Sequence, residues 1–141
     1  MHPQDERSQA AGLLLLRIAL ASVFLAHGLA KPLLFSWAGT EAFFQSQGFA
    51  GWMAYPVFAA EVTGAVLLGL GIFSRLAALG LVPITLGVVA THLPNGWLFN
   101  VPNGGWEFGA LLLALVAVVV LVGPGPYVAR IRVPALGRRL A

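Results

Sequence analysis

Four long apolar runs, broken only by isolated ionisable residues, restrict this chain to very few folds. They cover about Gly12–Ala30, Met53–Phe73, Leu76–His92 and Trp106–Gly123. At about 1.5 Å per helical residue, each is long enough to cross roughly 30 Å of hydrocarbon. Composition closes off a soluble alternative: of 141 residues, 59% are hydrophobic and 9% charged, and mean hydropathy is +0.88. Soluble domains carry roughly 25% charged residues, and a chain this small cannot bury so much apolar surface in one core. A soluble enzyme, a nucleic-acid binder and a disordered tail are excluded. The net charge of +3 and pI near 10.2 come from a few arginines near the ends. With no cysteine, disulfides, iron–sulfur clusters and thiolate metal sites are absent. The expected fold class is an all-α membrane protein: one domain over residues 1–141, with four transmembrane helices in an antiparallel bundle and short basic tails.

Ordinary stop signals bound the runs. Lys31-Pro32 closes the first, and Pro56 falls in the first turn of the second, where its missing N–H does no harm. Pro94 ends the third, and Gly123-Pro124-Gly125-Pro126 ends the fourth. Pro83, inside the third, predicts a kink that frees the Leu79 carbonyl. Ala19-Leu20-Ala21 faintly resembles a signal-peptide cleavage site, but Arg17 leaves only Leu13–Leu16 as an apolar core before it. The first run therefore reads as a retained helix.

Cytoplasmic flanks of membrane helices collect Lys and Arg. Arg7, Arg17, Arg75, Arg130, Arg132, Arg138 and Arg139 fall on one side of the four-span topology, and Lys31 alone on the other. Both termini are therefore expected in the cytoplasm, with loops Pro32–Trp52 and Leu93–Gly105 outside. Thr40–Gln47, stopped by Gly48, predicts a short interfacial helix. Arg17, towards the inner face, reads as a snorkelling anchor, and the tryptophans as interfacial-belt residues.

This topology gathers ionisable residues at one depth. His27 and Lys31 end the first helix, His92 ends the third, Glu107 begins the fourth, and Glu61 lies about 14 Å past Trp52 towards the midplane. Offsets of three, seven and ten from Glu61 give Gly64, Leu68 and Gly71; from Glu107 they give Ala110, Ala114 and Ala117. Small residues mark faces where membrane helices pack closely, so both carboxylates are expected to point into the bundle. Charges inside a membrane cost roughly 2.5–3.5 kcal/mol each at a helix centre. The plain alternative is a structural network that locks the helices together.

His27, Lys31, Glu61, His92 and Glu107 are therefore the candidate ligand-binding or proton-handling residues, with Asn95, Trp52, Trp97 and Trp106 in support. Two imidazoles and two carboxylates suit Zn, Fe or Mn, but no pair has the close spacing of a metal motif. A haem between His27 and His92 is conceivable geometrically and is not favoured. A quinone fits the residue types better: imidazole or Lys donates to an oxygen, Glu exchanges a proton, and an indole stacks on the ring. An ion or solute pathway would use the same groups, yet the inner halves offer only Arg17, and four helices leave little room for alternating access.

One ordered set of motifs runs from Leu15-Leu16-Arg17 through Phe24-Leu25-Ala26-His27-Gly28 with Lys31 to Glu61. With Gly69–Ala78, His92-Leu93-Pro94-Asn95-Gly96 and Gly104-Gly105-Trp106-Glu107, over about residues 12–127, its order and spacing resemble the DoxX family. This resemblance is carried by the whole set together. It implies a four-helix protein of the bacterial-type inner membrane, with His27, Lys31, Glu61, His92 and Glu107 at the family's typical polar positions. It also implies a link to quinone oxidoreduction or to oxidative-stress enzymes. The expected function is a membrane redox-associated protein that holds a quinone-like or other small hydrophobic ligand at the outer polar cluster. The alternative is a non-catalytic scaffold that recruits an oxidoreductase. Expected partners are the lipid bilayer, the small ligand, a redox protein and a second copy of the chain, but no nucleic acid.

Overall fold

The computed structural model describes residues 3–129 and a short antiparallel strand pair, Ile131–Arg132 with Arg139–Leu140. Arg130 and Arg138, counted above in the basic flank, lie outside the described residues. Five helices account for the rest: α1 Pro3–Leu33, α2 Ser36–Ser46, α3 Ala54–Leu70, α4 Ser74–His92 and α5 Glu107–Val122. Three stretches (Gln4–Leu33, Gly51–Leu70 and Ser74–Asn95) are long and apolar enough to cross a membrane. α5 is apolar but has 16 residues, about 24 Å of helix.

α1 is longer than the apolar run at both ends. Upstream, residues 4–11 continue the helix, with Asp5 and Glu6 favourably placed in its first turn. Downstream, Lys31-Pro32 does not stop it. Pro32 sits in the last turn, and the chain turns away only at Ser36, whose φ is +61°. α2 starts four residues earlier than the expected Thr40, and Gly48 (φ +84°) lies just past its end, as the sequence suggests. α4 runs unbroken through Pro83, and Thr85 Oγ1 donates towards the carbonyls of Leu81 (3.1 Å) and Val82 (2.8 Å).

α1 packs along α3, α3 on α4, and α4 along α5, while α5 meets α1 more lightly. Leu20, Phe24, Ala65, Leu68, Ala78, Leu81, Leu112, Val116 and Val119 fill the space between them. The face of α3 was legible: Glu61, Gly64, Leu68 and Gly71 are all buried. The face of α5 was not. Its buried residues are Gly109, Leu112, Val116 and Val119, whereas Ala114 of the expected stripe is exposed.

Arg17 corrects a second expectation, because it does not snorkel. It is 1% exposed. Its Nη1 donates to Leu68 O (3.4 Å) near the end of α3, and its Nη2 donates to Tyr127 O beyond α5. Gly71, which ends α3 in the left-handed region (φ +75°), leaves the space that this guanidinium occupies. Arg75, at the same end, donates from Nη2 to Leu121 O (3.3 Å) and Val122 O (3.4 Å), carbonyls of the last turn of α5. The two arginines tie the ends of α3 and α5 to their neighbours.

Candidate functional site

The five candidate residues divide into two groups rather than forming one. The first group joins α1 to α3. Lys31 Nζ donates to Glu61 Oε2 at 2.5 Å, and both side chains are largely buried. Glu61 comes this close because Gly28 carries no side chain: a Cβ there would stand 2.9 Å from Val62 Cγ2 and 3.3 Å from Glu61 Cβ. Lys31 Nζ also donates to His27 O at 3.3 Å. Thr40 of α2, the one buried residue of that helix, donates towards Ser36 O (2.8 Å) and Lys31 O (3.2 Å), which seats the start of α2 on the end of α1. Glu61 thus has the cationic partner that a buried carboxylate requires.

His27, four residues before Lys31, does not enter the ion pair. It is exposed, its Nδ1 lies 2.8 Å from Val23 O, and its ring stacks on Phe108 of α5 at a centroid distance of 6.2 Å. Since a carbonyl only accepts, Nδ1 carries the proton in the neutral ring, and Nε2 presents a lone pair.

The second group fastens the α4–α5 loop. His92 Nδ1 donates towards Asn103 O (3.0 Å) and Gly104 O (3.1 Å), and Asn95 Nδ2 donates to the same two carbonyls at 3.2 and 2.8 Å. Glu107 Oε1 accepts from Phe99 N at 2.8 Å. Trp106 N and Glu107 N donate to Gly96 O and Trp97 O, and the Trp97 and Trp106 rings meet edge to face at 4.4 Å. Glu107 therefore turns back to its loop instead of pointing into the bundle. Trp52 is 67% exposed and joins neither group.

Beside the second group lies an open groove of about 600 Å³, lined by Trp97, Phe99, Glu107, Phe108, Ala110 and Leu111. Its walls are aromatic and aliphatic, and among the described residues its one ionisable group is Glu107. The second Glu107 oxygen has no hydrogen-bond partner among the described residues. Phe108 links the groove to His27. Sequence reasoning passed over Phe108, although its position beside Glu107 at the start of a helix was a usable signal. It also passed over the packing of α2 on α3, where Trp37 stacks on Tyr55 (4.7 Å) and meets Phe58 edge-on (5.2 Å), and the Tyr55 hydroxyl donates to Glu41. Among the described residues, no three His, Asp or Glu side chains come together as a metal-ligand set.

A family model described as DoxX matches residues 12–94. That span takes in His27, Lys31, Glu61 and His92, and it stops short of Asn95, Trp97, Trp106 and Glu107. A Bacillus subtilis (strain 168) protein named "Putative oxidoreductase CatD" is 34% identical over 118 residues, covering 83% of each chain. No solved structure matches significantly.

Proposed function

The chain belongs to the DoxX family, and from that premise we propose that it is the membrane component of a quinone-linked oxidoreductase. In this reading α1, α3, α4 and α5 all cross a bacterial inner membrane, with both termini in the cytoplasm. The seven-to-one division of basic residues supports that orientation. The name of the Bacillus relative supports the redox assignment.

The groove beside α5 is the observation that carries the ligand class. Trp97, Phe99, Phe108 and Leu111 would hold a planar ring of quinone type by apolar burial and aromatic stacking. The polar groups nearest to it, the free oxygen of Glu107 and Nε2 of His27, are both acceptors. They would accept hydrogen bonds from the hydroxyls of a reduced ring and would hold its two protons on oxidation. The two electrons lost with those protons would need an acceptor beyond this chain's own side chains: a bound cofactor, a metal or a partner subunit. The Lys31–Glu61 pair holds α1 against α3 four residues after His27, whose ring stacks on Phe108 of the groove.

Tryptophan fluorescence of the purified protein, titrated with a short-chain quinone and its quinol, tests this. Trp97 lines the groove and Trp106 packs against Trp97, so saturable quenching is expected, tighter for the quinol, and lost in Phe108→Ala and Glu107→Gln. Quenching that does not saturate, or that both variants preserve, sinks the ligand reading. A second reading, a scaffold that recruits an oxidoreductase, draws on Trp97, Leu98 and Phe99, which stand exposed on the same loop. It is favoured if Leu98→Ser abolishes co-purification of a redox enzyme while Phe108→Ala does not.

A further inference from the structure

Two buried polar atoms have no hydrogen-bond partner among the described residues: Arg17 Nε and Ser74 Oγ. The other nitrogens of Arg17 are committed to carbonyls, which accounts for that side chain. Ser74 has no such account. It opens α4, is 1% exposed, and lines a cavity of about 280 Å³ together with Phe73, Arg75, Leu76 and Pro124. A buried hydroxyl without a partner costs about 1–3 kcal/mol, so such a group calls for a ligand.

The surroundings specify the ligand's charge. α4 has 19 residues, and its N-cap, Phe73, supplies no side-chain acceptor, so the positive end of the helix is unanswered. Arg75 stands on the same wall. Its Nη2 is steered by the Leu121 and Val122 carbonyls, and its remaining guanidinium donors are unassigned. No carboxylate lines the cavity. A hydroxyl, free helix amides and a guanidinium together make a donor set for a phosphate group.

We propose that this cavity binds phosphate, and specifically the headgroup phosphate of a phospholipid in the leaflet at this end of the helices. Ser74 Oγ, the first amides of α4 and Arg75 are the donors. A lipid is favoured over free phosphate because the rest of the wall is apolar, and Phe73 and Leu76 are exposed beside it, offering a path for an acyl chain. This site lies at the opposite end of α4 from His92 and is independent of the quinone reading.

Native mass spectrometry of the full chain in detergent, titrated with dioleoyl-phosphatidylglycerol, reads the site directly. One tightly retained lipid per chain is expected, weakened about tenfold by Ser74→Ala or Arg75→Gln, as the loss of a hydrogen bond to a charged group predicts. Arg7→Gln, a charge change in the exposed part of α1, should leave retention intact. Thermal unfolding keeps the test sound should Arg75→Gln fold poorly. Ser74→Ala removes a partnerless hydroxyl, so without lipid it should melt at or above the wild-type temperature, yet gain less from added lipid. Inorganic phosphate forms the second arm. If millimolar phosphate stabilises the wild type but not Ser74→Ala and displaces the lipid, the site takes the free ion, and the lipid assignment falls. Equal lipid retention in wild type, Ser74→Ala and Arg75→Gln overturns the site itself. So does a loss in Arg7→Gln as large as in Arg75→Gln, since general surface charge then explains retention.

Discussion

α1 presents two buried cations to α3, and they are held in opposite ways. Lys31, near the C-terminal end of α1, meets the carboxylate of Glu61 at 2.5 Å. Arg17, fourteen residues and about 21 Å of helix earlier, meets only carbonyls among the described residues, those of Leu68 and Tyr127. The first arrangement neutralises a charge with a charge, and each partner depends on the other. The second spreads one charge over backbone dipoles, and the planar fork of Arg bridges two segments that no single point charge would reach. What a buried cation does is therefore decided by the acceptor chemistry around it, a carboxylate for Lys31 and backbone carbonyls for Arg17.

The largest expected effect comes from breaking the ion pair on one side. Glu61→Gln strands Lys31 as a buried, uncompensated cation and should lower stability by about 4 kcal/mol. The double change Lys31→Met with Glu61→Gln removes both charges and should recover most of that loss. Reversible unfolding in detergent measures both. If the double variant is no more stable than the single one, the pair's geometry matters in some way beyond charge compensation.

Arg17→Ala comes next, at about 3 kcal/mol, because it removes a large buried side chain and two charge-assisted bonds yet strands no opposite charge. Arg17→Lys should rescue little, since an ammonium cannot span Leu68 and Tyr127. Equal melting of Arg17→Ala and wild type would return this residue to the role of a surface anchor.

That surface-anchor reading was the natural one from sequence, and its failure shows what patterning can and cannot deliver. The apolar runs and the buried face through Glu61, Gly64, Leu68 and Gly71 were legible, because they follow from helix periodicity, whereas the pairing of Lys31 with Glu61 matches only the plain alternative of a structural network. Three features were not. Arg17 is buried by a segment that follows α5, more than a hundred residues later, and no local pattern reports that contact. Glu107 was assumed to mark the inward face of α5. As the first residue of the helix it can instead answer a loop amide, Phe99 N, so the true packed face, Gly109–Leu112–Val116–Val119, is displaced from the expected stripe. The single outer cluster divides in two for the same reason: His92, Asn95 and Glu107 satisfy loop backbone groups, which sequence-level counting treats as silent.

The loop group offers a milder version of the same comparison. His92→Ala removes one of two side chains that hold the Asn103 and Gly104 carbonyls, and Asn95 keeps its grip on both. The loss should be about 1 kcal/mol. Because Trp97 and Trp106 ride on this loop, their fluorescence should change before global unfolding does. Coincident transitions would mean that the loop and the helices unfold as one unit.

Tyr55→Phe should have the smallest effect. The hydroxyl that donates to Glu41 is lost, but both residues are near the surface, and the stack of Trp37 on the ring is kept. An exposed hydrogen bond of this kind contributes little, close to the limit of an unfolding measurement. Its value lies in what it separates. α2 is held beside the Lys31–Glu61 pair by Thr40 and by the Trp37–Tyr55–Phe58 contacts. If Tyr55→Phe leaves stability unchanged while Tyr55→Ala loosens α2, as read by hydrogen exchange at Ser36–Ser46, aromatic packing is the fastening. Exchange that rises equally in both variants would assign it to the Tyr55–Glu41 bond. The seat of α2 beside the Lys31–Glu61 pair would then depend on a surface charge, and Arg17, hydrogen-bonded to backbone carbonyls, would have no counterpart to that vulnerability.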